Sequence, residues 1–168
     1  MVQSTSERTG EFEIIANYFK DLTGQNGVVL GIGDDGAILD LLTNVDTQLV
    51  VATDSLVENV HFPQDASPYH IAQRALCVNL SDMAAMGANP RWFTLALTLP
   101  VEYAKPVWLK EFSAGLAEVA EEFHCSLIGG DTTCGPLTIS ITMLGEVTSG
   151  IALKRGGAQV GDLSHIHI

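Results

Sequence analysis

Two repeat periods interleave along this chain, and together they constrain its fold more than any other feature. Helix-spaced apolar residues occupy two long stretches, with strand-spaced apolar residues before, between and after them. A side-chain period of 3.6 and a period of two put different residues on the buried face, so each stretch admits one kind of element. Ser67-Pro68 opens the first helix, a capping serine followed by proline at the first helical position. That helix is expected to run through Ala85 or Met86 and to stop at Gly87, with Pro90 just beyond. Pro106 opens the second, which is expected to bury Leu109, Phe112, Leu116, Val119 (or Ala120) and Phe123. Between them Phe93, Leu95, Leu97 and Leu99 alternate with Trp92, Thr94, Ala96 and Thr98. Beyond the second helix, Ser126–Ile128 reads as a short strand. Leu137, Ile139, Ile141 and Met143 alternate with Thr138, Ser140 and Thr142 as the last good one.

Ahead of this block, Phe12, Ile15, Phe19 and Leu22 predict a short amphipathic helix over Glu11–Leu22. Val28–Ile32 and Leu49–Thr53 read as strands, with the short apolar Ala37–Leu42 and a turn at Thr43–Thr47 between them. The fold class is α+β, a mixed β-sheet covered on one face by two long helices. Its apolar strand faces exceed what two helices can cover, so a sheet-mediated dimer is expected. A length of 168 residues fits one domain. Residues 1–10 read as a flexible leader and 11–163 as that domain.

Composition removes several function classes. No apolar run approaches the roughly 18 residues a membrane span needs, and Met1–Gly10 lacks the apolar centre of a secretory signal. A cytoplasmic protein is expected. Three cysteines, Cys77, Cys125 and Cys134, with no Cys-x-x-Cys pair, do not make a disulfide framework or a zinc knuckle, and all three read as packing residues. A net charge of −12, from 20 acidic and 8 basic residues, repels nucleic-acid phosphates. That charge serves solubility at the least, and some of the carboxylates are placed to do more.

Asp34 and Asp35 lie in a glycine-bounded turn after the first strand, Asp54 ends Val50-Val51-Ala52-Thr53, and Asp131 follows Ile128-Gly129-Gly130. Open sheets place ligand sites at such strand ends. Asp82 sits inside the first long helix with no Lys or Arg three or four residues away. A buried, unpaired aspartate there would be costly, so it either bonds a neighbouring backbone or holds a metal. Mg²⁺ takes hard oxygen ligands, typically a few carboxylates completed by phosphate oxygens and water. Such carboxylates would repel one another without the ion.

Gly31-Ile32-Gly33-Asp34-Asp35-Gly36 also matches the dinucleotide fingerprint, with Asp54 about 20 residues on as the ribose-binding acid would be. That fingerprint needs a helix starting at its last glycine to face the pyrophosphate. Only about seven residues separate Gly36 from the Thr43-Asn44 turn, and Asp34 and Asp35 would oppose the phosphates. There is no P-loop and no protein-kinase His-Arg-Asp or Asp-Phe-Gly set. Gly129-Gly130, with Thr132 and Thr133 beside it, is the better place for a phosphate to approach backbone N–H groups.

An ordered series of motifs resembles the thiamine-monophosphate kinase family. It comprises Gly10-Glu11-Phe12, Gly31-Ile32-Gly33-Asp34-Asp35, Thr53-Asp54-Ser55-Leu56-Val57 and His61-Phe62. Ala75-Leu76-Cys77-Val78-Asn79-Leu80-Ser81-Asp82-Met83-Ala84-Ala85-Met86-Gly87-Ala88 and Leu95-Ala96-Leu97-Thr98-Leu99-Pro100 follow. Ile128-Gly129-Gly130-Asp131-Thr132-Thr133 and Arg155-Gly156-Gly157-Ala158 close it. The family shares a superfamily with aminoimidazole ribonucleotide synthetase and selenophosphate synthetase. The resemblance implies the N-terminal domain type of that superfamily, ATP as co-substrate and several Mg²⁺ ions; the dimer expected from the strand faces would be a homodimer. It implies transfer of the ATP γ-phosphoryl group to thiamine monophosphate. By that resemblance Asp35, Thr53, Asp54, Asp82 and Asp131 ligate metal, His61 contacts substrate, and Gly130, Asp131 and Arg155 contact nucleotide. Asp34 would stand behind the ligands. Ala52 stands where the family often has serine, which removes one hydroxyl ligand.

Metal-assisted transfer between two anionic phosphates calls for no general base, because the acceptor oxygen is already ionised near neutral pH. No catalytic acid or base is therefore assigned. Ser164-His165-Ile166-His167-Ile168 does not resemble the family's continuation, so residues 164–168 read as a non-family tail and the family's C-terminal domain as absent. A fragment of that kind is expected to bind metal and nucleotide but to turn over poorly. Two other readings stay open: a non-catalytic metal- or nucleotide-binding dimerisation module, and a sister ATP-dependent enzyme with another acceptor.

Overall fold

The structure, a computed structural model, describes residues 11–22, 28–30, 32, 38–39, 46–154, 157 and 159–161. Its main body is a four-stranded sheet in the order β3-β6-β4-β5, built from β3 (Thr47–Val57), β4 (Asn89–Leu99), β5 (Ser126–Cys134) and β6 (Thr138–Thr148). β6 lies antiparallel between β3 and β4, while β4 and β5 run parallel. A parallel pair needs a crossover, and α3 (Pro106–Glu122) supplies it. α2 (Pro68–Ala85) joins β3 to β4. A separate antiparallel pair, β1 (Val28–Leu30) with β2 (Ile38–Leu39), precedes the sheet. Ile38 and Leu39, where the dinucleotide fingerprint needs its first helical turn, are instead strand running back along β1, and the fingerprint is excluded.

The ends of α2 follow from local chemistry. Ser67, in an extended conformation, accepts a hydrogen bond from the His70 N–H, and Pro68 takes the first helical position. Beyond Met86, Gly87 turns into the left-handed region at φ +67°, and Ala88 N–H closes back on Met83 C=O. Replacing Ser67 with Ala is expected to cost about 1 kcal/mol of stability, read as a lowered urea midpoint with unchanged slope.

One sheet face carries the core. Phe93, Leu95, Leu97 and Leu99 of β4 meet Ile139, Ile141 and Met143 of β6 under the buried faces of α2 and α3. The helices approach closely at Gly115, where an added Cβ would sit 2.2 Å from the Tyr69 carbonyl oxygen. Tyr69 and Gln73 of α2 reach across to Glu118 of α3. That hydrogen bond to the Glu118 carboxylate, with burial behind it, raises the Tyr69 phenol above its ordinary value. The other sheet face carries Thr53 bonded to Thr142 (2.9 Å) and Ser55 bonded to Ser140 (2.6 Å), beside the exposed Leu49 and Val51 of β3.

Several expectations need correcting. Phe123 is 43% exposed, because α3 ends at Glu122 and Phe123 is its cap. The first helix is one continuous helical stretch over 11–22 that changes pitch twice, so Ile14 is buried with Phe19 where Ile15 was expected. Cys125 is buried, but Cys77 and Cys134 are exposed, so only one of the three packs as anticipated. Burial pushes the Cys125 thiol up to about 12, and burial followed by the charge of Glu122 raises Cys77. A raised pKa leaves less thiolate at a given pH, so at pH 8 a disulfide reagent should label the exposed Cys77 slowly. Cys125 should react only after unfolding. The absorbance time course in native and denatured protein checks this.

Candidate functional site

Asp54 and Asp131 were both expected at strand ends, and neither is at one. β3 continues to Val57 and β5 to Cys134, so each aspartate lies inside a strand. β5 extends through the Gly-Gly-Asp-Thr-Thr segment because β4 supplies a parallel partner as far as Leu99. The hydrogen-bonded ladder, invisible in a local reading, carries both strands past their polar residues.

Register then decides which face each carboxylate occupies. Asp54 lies in the row Asp54–Ile141–Leu95–Gly130, and Ile141 and Leu95 are core residues, so Asp54 emerges on the helix-covered face. Asp131 lies in the adjacent row Ser55–Ser140–Ala96–Asp131, which belongs to the open face. The two also stand on opposite edge strands, three strand spacings or about 14 Å apart. Within one copy of the chain they do not share an ion. Thr53 points away from Asp54, as successive strand residues must, and its hydroxyl engages Thr142.

Asp82 lies on the helix that is tied to Asp54. Asn79, fully buried on α2, accepts the Asp54 backbone N–H on its Oδ1 at 3.1 Å, which pins the helix over β3 at that residue. Asp82 follows one helical turn later on the flank away from α3, since the opposite flank carries Tyr69 and Gln73 toward Glu118. Asp82 is exposed, contrary to the expectation of burial, since it lies on the flank of α2 and not among its buried positions. Among the described residues, neither Asp54, Asp82 nor Asp131 forms an ion pair; the pair found there joins Arg91 to Glu146 at 3.3 Å. Among the described residues, no group of three or more His, Cys, Asp or Glu gathers as a metal site. Asp34, Asp35 and Arg155 lie outside the described residues.

His61 sits in the loop leaving β3, held by its own ring. Its Nδ1 accepts the Val57 N–H at 3.0 Å, so the ring proton is on Nε2, which is left to face outward. The same loop is tied to the α3 entrance by the Tyr103 hydroxyl, which donates to Glu58 Oε1 at 3.0 Å. That bond raises the Tyr103 phenol above its ordinary value. Tyr103 stacks on Trp108 and Trp108 on Phe112, so the loop is anchored to the core through three rings.

Gly130 has a packing explanation of its own. At φ +151°, a Cβ there would lie 1.8 Å from the Leu95 carbonyl oxygen, whereas one at Gly129 would meet nothing within 4 Å. The sequence reading passed over Asn79, Glu58 and Tyr103. For Asn79 a signal existed, a lone amide among the apolar positions of α2.

An α+β domain with carboxylates outside any ion pair among the described residues at one sheet edge, and a glycine-bearing strand at the other, fits phosphate-handling chemistry in general. Residues 33–147 match the AIR synthase related protein family, N-terminal domain, and the chain belongs to that family. The thiamine-monophosphate kinase of Escherichia coli K12 is 46% identical over 159 residues, 94% of this chain and 47% of the relative. The crystal structure of thiamine-monophosphate kinase from Stenotrophomonas maltophilia K279a superposes with a TM-score of 0.78 at 44% identity, covering 89% of this chain and 46% of that one. AaThiL complexed with AMPPCP and TMP superposes with a TM-score of 0.65 at 31% identity, covering 91% and 46%. The chain thus spans about half the length of the curated relatives it matches. Among the described residues no helix is long and apolar enough to cross a membrane.

Proposed function

We propose that this chain is the metal- and nucleotide-binding part of an enzyme that transfers the ATP γ-phosphoryl group to thiamine monophosphate, giving thiamine diphosphate and ADP. The carrying observation is the hydrogen bond from the Asp54 N–H to Asn79, which ties Asp54 to the helix that carries Asp82 one turn further on, neither carboxylate having an ion-pair partner among the described residues. Two carboxylates with room for phosphate oxygens are what Mg²⁺ uses beside a nucleotide, so the donor set fits. Asp35, from the segment between β1 and β2, would join them, and Thr53 would contribute from its backbone rather than its engaged hydroxyl. Bound there, the ion would neutralise the repulsion between two polyanions and hold them in line. Asp131, with Gly130 and Arg155, would serve the nucleotide at a separate position. The likeness to AaThiL, solved with an ATP analogue and TMP, supports the choice of ligands.

His61 would present its Nε2–H to the acceptor phosphate while Nδ1 stays bound to Val57. Asn at this position keeps the Nδ1-like acceptor but loses that donor, and is expected to raise KM for thiamine monophosphate roughly ten-fold or more with little change in kcat. Steady-state kinetics of the Asn and Ala variants check this.

A cytoplasmic location and a homodimer belong to the same proposal. Leu49 and Val51, 49% and 56% exposed on the open face of β3, support pairing of two copies through that face. Sedimentation of the chain and of a Val51→Lys variant tests it; a monomer at all concentrations removes the dimer. Calorimetry with Mg²⁺ and a non-hydrolysable ATP analogue, with and without thiamine monophosphate, tests the central reading. Magnesium-dependent uptake of both ligands is expected, and uptake of neither overturns it.

A further inference from the structure

Asn79 is a buried polar side chain in a helix face otherwise made of Ile71, Ala72, Ala75, Leu76, Leu80 and Met83. An amide placed there costs stability unless both of its ends find partners. Both do. Nδ2 donates to the Ala75 carbonyl one turn back at 3.0 Å, which fixes the side-chain rotamer against its own helix. Oδ1 accepts the Asp54 N–H at 3.1 Å, which fixes the helix against β3. Among the described residues β3 is an edge strand, paired on one side by β6, and the outward N–H of Asp54 finds Asn79 where a strand partner would lie. A leucine would fill the same space and bury more apolar surface. What it could not do is hold one backbone position of β3 at one height along α2.

We propose that Asn79 is a positioning residue that sets the spacing of the Asp54 and Asp82 carboxylates, and through it their affinity for a divalent cation. The bond lands on the backbone of Asp54 itself, among the eleven residues of β3. Asp82 rides on the same helix one turn away, so one hydrogen bond and one helical turn connect the Asp54 backbone to the Asp82 position. Ligands held in place by outer partners bind metal more tightly than ligands that must be gathered, and loss of such a partner typically weakens binding roughly 10–100-fold. The inference rests on the reading of Asp54 and Asp82 as cation ligands, and it adds the residue that tunes them.

The test titrates Mn²⁺ alone into the whole chain, followed by its paramagnetic signal, together with hydrogen exchange at the Asp54 amide. Asn79→Ala is expected to weaken Mn²⁺ binding roughly ten-fold or more and to speed Asp54 exchange. Asn79→Asp keeps an oxygen toward the Asp54 N–H and is expected to restore slow exchange and affinity to within about three-fold, even where its buried charge lowers the melting temperature. That split between affinity and stability is what a merely structural amide would not produce. Should Asn79→Ala fail to fold, Asn79→Gln lengthens the reach by one methylene and is expected to show the same loss of affinity. Unchanged Mn²⁺ affinity in a folded Ala or Gln variant overturns the proposal. Asp82→Asn separates the two levels. If it abolishes Mn²⁺ uptake while Asn79 variants bind as wild type, the ligand reading stands and the positioning role falls. If the wild-type chain takes up no Mn²⁺, both fall together.

Discussion

Gly130→Ala is expected to destabilise the domain by about 3 kcal/mol or more, enough to leave much of a marginally stable chain unfolded at 37 °C. The new Cβ would sit 1.8 Å from the Leu95 carbonyl oxygen, 2.5 Å from its carbon and 2.8 Å from its nitrogen. All three are backbone atoms of the paired strand β4, which is held by β6 on its other edge and cannot move aside without breaking both ladders. The positive φ of +151° adds strain for any residue with a side chain. Gly129→Ala is the matched control, since its Cβ would meet nothing within 4 Å, and it is expected to change stability by less than about 1 kcal/mol. Urea denaturation of the two variants decides the matter; equal midpoints would mean that β5 does not pair with β4 in this register.

Asp82→Asn should separate function from folding most sharply. The side chain is exposed and makes no ion pair among the described residues, so its neutralisation is expected to change stability by no more than about 0.5 kcal/mol. Its loss as a ligand is expected to lower cation affinity, and any phosphoryl transfer that depends on it, by roughly 100-fold or more. Asp54→Asn should do the same. If both hold one ion, the double variant will be little worse than either single one, because removing either ligand already breaks the site. Additive losses would instead assign the two carboxylates to different ions. Parallel loss of melting temperature and affinity in Asp82→Asn would make it a structural residue.

The elements were legible because their signals are local. Ser67-Pro68, the glycine at 87 and the apolar periods of α2, α3, β4 and β6 all act within a turn or a strand width, and each appears where its residues place it. Strand lengths were not legible. β3 and β5 run on through Asp54 and Gly129-Gly130-Asp131, residues with poor strand propensity, because neighbours β6 and β4 are there to receive their hydrogen bonds. Asp82 looked buried for a related reason. The helical period identifies a buried face, but not where that face ends.

Residue order alone was sufficient for an α+β domain with helices on one sheet face and for the family, since each depends on types and spacings along the chain. Tertiary structure alone decided that Asp54 is tied to the helix bearing Asp82 while Asp131 stands across the sheet on its other face. A strand presents alternate residues to opposite faces, so a single position of register separates Asp54 from the row of Asp131. Register is fixed by packing among strands distant in sequence, and a carboxylate's partner is therefore a property of the assembled sheet.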